Sequence, residues 1–153
     1  MGLDMMLYMN VWGMSDEKFQ EDVDKAVMPR FSSLRGIEPR LVFVRYEVLM
    51  WRKANAIHNW FVQNVQEGVD DCGEYEVSEE DLRKLLKDVE EVLKDKSKAP
   101  EILPTTEGFF FGSTDYDEDY FDDLKYTAKG IKNVLRIKAN NDSFVSFEYG
   151  SSW

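Results

Sequence analysis

Residues 41–66 read LVFVRYEVLMWRKANAIHNWFVQNVQ and contain two hydrophobic periods in succession. Leu41–Met50 is rich in β-branched and aromatic residues and alternates in polarity, which predicts a strand with one solvated face. The residues predicted on its apolar side are Val42, Val44, Tyr46 and Val48. From Trp51 onward the apolar residues recur at helical spacing, which predicts a helix over 51–66 that ends before Gly68.

Further strands and helices are predicted on both sides of this segment. In chain order they are a strand at Leu3–Val11, a short amphipathic helix at Ser15–Val27, a loop at Phe31–Pro39, a helix with Ser78 as N-cap, a loop at Lys96–Thr106, a tight turn or short buried strand at Gly108–Gly112, a helix capped by Thr114 and extending to Leu135, and a strand at Val145–Tyr149. Asp81 stands three residues after Ser78, as in a variant of the capping box.

This order of elements predicts an α+β domain. We expect a small, mainly antiparallel sheet that is covered on one side by about three helices, with the first and last strands as neighbours. The length of 153 residues predicts a single domain over 1–153. Residues 12–40 fit this pattern least well and are a candidate insertion.

The charge of the chain excludes several classes of partner. With 30 acidic and 19 basic residues, the formal net charge is −11, which argues against polymeric nucleic acid because that affinity comes largely from neutralising phosphates. No apolar run approaches the roughly 18 residues that cross a bilayer, so no membrane partner is expected. Cys72 is the only cysteine, so no internal disulfide is expected, which suits a reducing cytosol.

The charges are distributed unevenly along the chain. Five of the seven arginines lie within residues 29–53, whereas residues 70–95 contain eleven acidic and four basic residues. Residues 115–123 contain six carboxylates and no cation. Two interpretations remain open: the arginines pair with the acidic helices, or they form part of a binding site.

The predicted helix over 51–66 contains the candidate binding residues. One edge of this helix carries amide and guanidinium side chains, whose hydrogen-bonding groups have a fixed geometry. A solvated helix face usually has Glu and Lys in such positions. Arginine or lysine can bind a phosphate, an amide can read a base edge, and an aromatic ring can stack on the base. Cations in the first turn of a helix are also unfavourable, because the helix dipole is positive there. A bound anion would remove this cost. The predicted ligand-binding residues are Arg45, Trp51, Arg52, Lys53, Asn55, His58, Asn59 and Trp60.

A structural interpretation of the same residues is equally open at this stage. Trp60 could pack on a neighbouring element, and the asparagines could brace loops. His58 lies on the apolar arc of the helix, where a histidine is more often a hydrogen-bonded brace than a catalyst. Cys72 is surrounded by acidic residues that disfavour the thiolate, so we do not predict Cys–His catalysis.

No motif for a metal, a cofactor or catalysis is found. Asp115, Asp117 and Asp119 alternate as at the start of a calcium loop, but Tyr120 occupies the position that requires glycine. These carboxylates are better explained as charges at the N-terminus of a helix. We therefore expect no cofactor, no metal and no enzymatic activity.

Several short motifs together resemble a family. MGLDM-x-L, WRKANAIHNWFV, DDCGEYEVS, LPT, GFFFGSTDYDEDYF and the terminal SSW are similar to segments of small proteins encoded by tailed phages and prophages. The resemblance covers most of the chain except residues 12–40. It implies a protein of the host cytoplasm that inhibits a host process or host immunity.

Three functions are compatible with this resemblance. The first is a sponge, usually homo-oligomeric, that sequesters a nucleotide immune messenger such as a cyclic dinucleotide or cyclic ADP-ribose without turning it over. The second is an acidic inhibitor that binds a host defence protein or a nucleic-acid-binding protein. The third is a nucleotide-metabolising enzyme. The cluster of Arg, Lys, Asn and Trp residues favours the first.

Overall fold

The computed structural model describes residues 2–13, Lys25, 42–139 and 144–153. Its elements in chain order are β1 (Asp4–Gly13), β2 (Val42–Arg52), α1 (Asn55–Asn64), β3 (Glu74–Val77), α2 (Glu79–Lys94), a 3₁₀ turn (Lys96–Lys98), α3 (Ala99–Ile102), α4 (Glu118–Ala139) and β4 (Phe144–Ser152). The predicted helix at Ser15–Val27, the predicted loop at Phe31–Pro39 and most of the candidate insertion lie outside the described residues.

The four strands form one antiparallel sheet in the order β2-β1-β4-β3. The first and last strands are neighbours, with Asp4 opposite Ser152 and Trp12 opposite Phe144. The fold class is therefore α+β with a small antiparallel sheet, as predicted. Strand β3, which has only four residues and pairs with β4 at one edge, was not predicted.

The helices pack on one face of the sheet and enclose the hydrophobic core. Ser78 and Asp81 form the predicted capping box at the start of α2, whose buried stripe is Leu82, Leu85, Val89 and Val92. The prediction that Thr114 caps the next helix is wrong. Helix α4 begins at Glu118, and the Asp117 side chain accepts a hydrogen bond from the Tyr120 backbone N–H at 3.0 Å.

A β-bulge changes which side of β2 faces the core. Leu7 of β1 lies opposite Leu49 and Tyr8 lies opposite Glu47, so Val48 is an extra residue on β2. An extra residue reverses the alternation beyond it. Leu49 and Trp51 are consequently buried. Val44 and Tyr46 precede the bulge and lie opposite Val11 and Met9, on the predicted side, although Tyr46 is 50% exposed.

Two segments between the helices differ from their predictions. The predicted loop at Lys96–Thr106 contains the 3₁₀ turn and α3. Gly108–Gly112 forms a turn in which the Phe111 N–H donates to the Gly108 carbonyl at 3.1 Å, as one of the two predicted alternatives. Phe111 is buried, but Phe109 is 95% exposed. None of the helices among the described residues is long and apolar enough to cross a membrane.

Candidate functional site

A cleft of about 410 Å³ lies where the end of β2 and the start of α1 meet the segment that leads into α4. Its walls therefore come from two sequence segments that are about fifty residues apart. One wall is formed by Arg52, Lys53, Ala54, Asn55, Ala56 and Ile57. The other is formed by Thr105, Gly112, Ser113, Asp115, Asp117, Asp119, Tyr120, Asp122 and Asp123.

Arg52 and Lys53 supply the positive charge of the cleft. The prediction that they occupy the first turn of a helix is wrong: Arg52 is the last residue of β2 and Lys53 lies between β2 and α1. Both side chains are exposed. Arg52 lies 3.6 Å from a carboxylate oxygen of Asp4, an exposed ion pair that contributes little to stability.

Lys53 has a left-handed backbone conformation with φ of 61°. This conformation is unfavourable for residues other than glycine, and such outliers concentrate at functional sites. Two glycines allow the chain to pass close to its side chain, because an added Cβ at Gly2 or Gly112 would lie 3.2 or 3.1 Å from Lys53 carbon atoms. The lysine is thus held in a defined position at the cleft.

Asn55 fixes the second wall to the first. Its side-chain Nδ2 donates to the carbonyls of Phe111 at 3.0 Å and Ser113 at 2.7 Å. Its Oδ1 accepts from the Thr106 N–H at 3.1 Å. The residue is 3% exposed, so its amide shapes the cleft and is not free to read a base edge. The N-terminus of α1 has no side-chain cap, and its dipole adds partial positive charge beside Arg52.

The opposite wall is rich in carboxylates. Asp115, Asp117, Asp119, Asp122 and Asp123 all line the cleft, against two cations. Burial, with smaller contributions from Asp119, Asp122 and Asp117, raises the pKa of Asp123 to about 6. Within the described ranges, no three His, Cys, Asp or Glu side chains are grouped so that they could hold a metal ion.

The other predicted site residues on α1 are structural braces. Trp60 is 5% exposed and its Nε1 donates to Asp88 on α2 at 2.9 Å, so its ring is not available to stack on a base. Asn59 donates to the Pro104 carbonyl at 3.3 Å. His58 is fully buried between Tyr149 and Asp70.

Trp51 and Arg45 lie on β2 and do not line the cleft. The Trp51 indole is 2% exposed and donates to the Thr127 hydroxyl at 2.8 Å. Arg45 lies on the sheet face opposite the helices. Its guanidinium stacks on Tyr8 at 3.8 Å and forms ion pairs with Glu74 at 2.9 Å and Glu148 at 3.3 Å.

Three of the eight predicted residues, Arg52, Lys53 and Asn55, therefore meet at the cleft. The carboxylates at 115–123 were not predicted to belong to the same site. One feature of the sequence could have indicated them. They directly follow the glycines and serine of GFFFGS, small residues that allow the backbone there to come close to another segment. Comparisons with protein-family models, curated proteins and solved structures found no match.

Proposed function

We propose that this protein is a non-enzymatic binding protein that sequesters a small nucleotide in the cleft. The observation that carries the proposal is that Arg52 and Lys53 are exposed on one wall of the cleft, while the other wall consists mainly of hydrogen-bond acceptors. A nucleotide has the matching asymmetry, with an anionic phosphate at one end and hydroxyl and amino donors at the other.

The phosphate is assigned to the wall with the two cations. Arg52 can form two parallel hydrogen bonds to phosphate oxygens, and Lys53 adds a compact positive charge. The uncapped N-terminus of α1 follows them in the chain and lines the same wall, and helix N-termini favour anions. These groups together form the anion-binding part of the site.

The sugar and base are assigned to the wall with the carboxylates. Aspartate oxygens accept hydrogen bonds from ribose hydroxyls in many nucleotide sites, and they can accept from the amino groups of a base as well. The five carboxylates outnumber the two cations, so a bare anion is disfavoured in this cleft. We therefore expect nucleotides to bind more tightly than inorganic phosphate.

The resemblance to small tailed-phage proteins supports a more specific role. In that setting we propose that the ligand is an immune messenger of the host, of the cyclic dinucleotide or cyclic ADP-ribose type, and that binding removes it from its receptor. Sequestration requires tight binding and no turnover.

Isothermal titration calorimetry against a nucleotide panel tests the proposal. The panel contains cyclic dinucleotides, cyclic ADP-ribose isomers and linear mononucleotides, with inorganic phosphate for comparison. We expect at least one nucleotide to bind with a defined stoichiometry, to raise the melting temperature, and to be recovered unchanged after denaturation. The absence of any heat or thermal shift across the panel would refute the proposal, and recovery of a converted nucleotide would favour an enzyme.

Lys53→Gly separates binding from stability. The variant should bind the identified nucleotide about 10–150-fold more weakly, because a charge-assisted hydrogen bond contributes about 1.5–3 kcal/mol. Since glycine accepts the left-handed conformation without steric cost, its free energy of unfolding should stay unchanged or rise by up to about 1 kcal/mol. Arg52→Ala should weaken binding similarly. Lys87→Ala, an exposed lysine of α2 away from the cleft, is the control, and an equal loss there would contradict the assignment.

A second candidate is an acidic inhibitor that binds a basic surface of a host protein. The observation in its favour is that, among the carboxylates of 115–123, only Asp122 has an ion-pair partner within the described residues, Lys125 at 2.6 Å. Unpaired carboxylates can accept the arginines and lysines of a partner.

This candidate predicts that Asp115→Asn combined with Asp119→Asn lowers capture of a basic host protein by at least about tenfold, because charged contacts steer and orient such complexes. Neither side chain caps α4, so the fold should be retained. Pull-down from host lysate with parent and variant measures the effect. Equal capture of the same protein by both would contradict the candidate.

A further inference from the structure

Strand β2 forms an outer edge of the sheet, and we propose that a second copy of this chain pairs with it. The proposed contact is antiparallel and has its two-fold axis at Tyr46, so that the two four-stranded sheets join into one. The inference concerns a surface apart from the cleft and does not depend on the identity of a ligand.

Among the described strands, β2 offers a longer edge than β3, which forms the opposite edge of the sheet. Strand β3 is only four residues long, and so short an edge strand leaves little backbone for another strand to pair with. Strand β2 has eleven residues, and among the described strands only β1 pairs with it. Helix α4 covers just its last part, where the Met50 N–H donates to the Tyr126 hydroxyl at 3.4 Å.

The contacts of β2 show which backbone groups point outward. Beyond the bulge, the Met50 N–H points away from β1, toward α4, and the Lys53 N–H points toward β1, where it donates to Leu3. Because Met50 lies opposite Met6, the residues opposite Tyr8 and Asn10 also face outward. Those residues are Glu47 and Arg45. Their N–H and C=O groups are therefore directed at the open edge.

A two-fold axis at Tyr46 brings these outward groups together. It places Arg45 opposite Glu47 of the second copy, and the two residues can exchange both backbone hydrogen bonds. The opposite charges of their side chains then lie side by side, which is favourable across strands. An axis at Arg45 or at Glu47 would instead place like charges opposite each other. The charge pattern therefore selects one register.

The side chains support the same register. Glu47 is exposed, and none of the ion pairs among the described residues involves it. The Arg45 guanidinium, already paired with Glu74 and Glu148, has five donors and can donate to a further carboxylate. On the other face, pairing would cover Tyr46, which is 50% exposed, together with the half-buried Val44 and Val48. The bulge at Val48 limits the ladder to about five residues.

Cysteine cross-linking tests the register. In the proposed dimer the two Tyr46 residues form a non-hydrogen-bonded pair with Cα atoms about 4.5 Å apart, a distance that a disulfide can span. Tyr46→Cys, in a background with the exposed Cys72 replaced by serine, should oxidise to a covalent dimer. Val44→Cys is the matched control on the same side of the same strand. Its two copies would lie about 13 Å apart and should not cross-link.

Sedimentation equilibrium with the parent and Glu47→Arg tests the charge pattern without relying on the cysteine variants. The parent should dimerise, and Glu47→Arg should raise the dissociation constant at least about tenfold because it places Arg opposite Arg45. Circular dichroism checks that each variant is folded. A parent that stays monomeric at roughly 100 µM, where weak dimers are still populated, would overturn the proposal. Equal cross-linking of Tyr46→Cys and Val44→Cys would overturn it as well.

Discussion

Replacing Trp51 with alanine is expected to lower the free energy of unfolding by about 3–5 kcal/mol. The indole is 2% exposed and packs against Phe61 with ring centroids 6.1 Å apart. It also donates to the buried hydroxyl of Thr127, which itself donates to the Asp123 carbonyl. The alanine variant therefore leaves a large cavity and removes one of the hydrogen bonds that join β2 to α4. Urea unfolding followed by circular dichroism measures the loss.

Two controls make this prediction specific. Trp51→Phe retains most of the volume but not the donor, so it should lose only about 1–2 kcal/mol. Met50→Ala changes the neighbouring residue of the same strand, which is 44% exposed, and should alter stability by less than about 0.5 kcal/mol. A loss at Met50 as large as that at Trp51 would contradict the placement of these residues on a strand with Trp51 facing the core.

Trp51 also illustrates where sequence reasoning failed. A tryptophan followed by Ala54, Ile57 and His58 fits the helical spacing of α1, but it fits equally well as the last inward residue of β2. Short apolar runs do not distinguish these cases. The bulge at Val48 explains why Trp51 was assigned to the helix. It reverses the alternation of inward and outward residues, so the pattern of residues 42–48 does not continue to residue 52.

The parts of the fold that depend on local sequence were predicted well. The strand β1 and the capping box of Ser78 and Asp81 are both encoded within a few residues. The neighbouring positions of β1 and β4 were also predicted, because both terminal segments carry apolar alternation. Strand β3 was missed because four residues are too few to show a period.

The candidate site could be predicted only in part, because it depends on contacts between distant segments. The sequence left open whether Trp60 binds a ligand or packs on a neighbouring element, because nothing in residues 51–66 reveals that α2 provides Asp88 as its partner. Likewise, the cleft exists because Asn55 binds Phe111 and Ser113, more than fifty residues later. Arg52 and Lys53 could be selected from composition, but the carboxylates across from them could not.

The second large change in stability is expected when the hydrogen bonds that join the buried His58 to the buried Tyr149 and the exposed Asp70 are disrupted. The His58 Nδ1 lies 2.7 Å from the Tyr149 hydroxyl and its Nε2 lies 3.0 Å from Asp70 Oδ1. Burial raises the pKa of Tyr149, so its hydroxyl remains a donor. The neutral imidazole with its proton on Nε2 then satisfies both partners. The assignment of this tautomer follows from the partners on each side.

This network predicts that acid destabilises the protein through His58. Burial lowers the pKa of His58 below 6.5, and the opposing effect of Asp70 is smaller. The unfolded chain therefore takes up this proton at a higher pH than the folded chain, so the free energy of unfolding falls as the pH decreases below about 6.5. For one proton the slope is at most about 1.4 kcal/mol per pH unit, and it ends at the folded-state pKa.

Comparison with His58→Gln isolates this contribution. At pH 8 the variant should be less stable by about 2–4 kcal/mol, because glutamine cannot satisfy both Tyr149 and Asp70 in the same space. Since glutamine does not titrate, the difference between parent and variant should narrow as the pH falls from about 6.5 to 5. Asp123 contributes to the pH dependence of stability with the opposite sign, because its pKa is raised to about 6 and its protonation favours the folded state. This contribution is present in both parent and variant, so it cancels in the difference between them. Urea unfolding at each pH measures the two curves, and curves that remain parallel across this range would show that His58 does not change its proton affinity on folding.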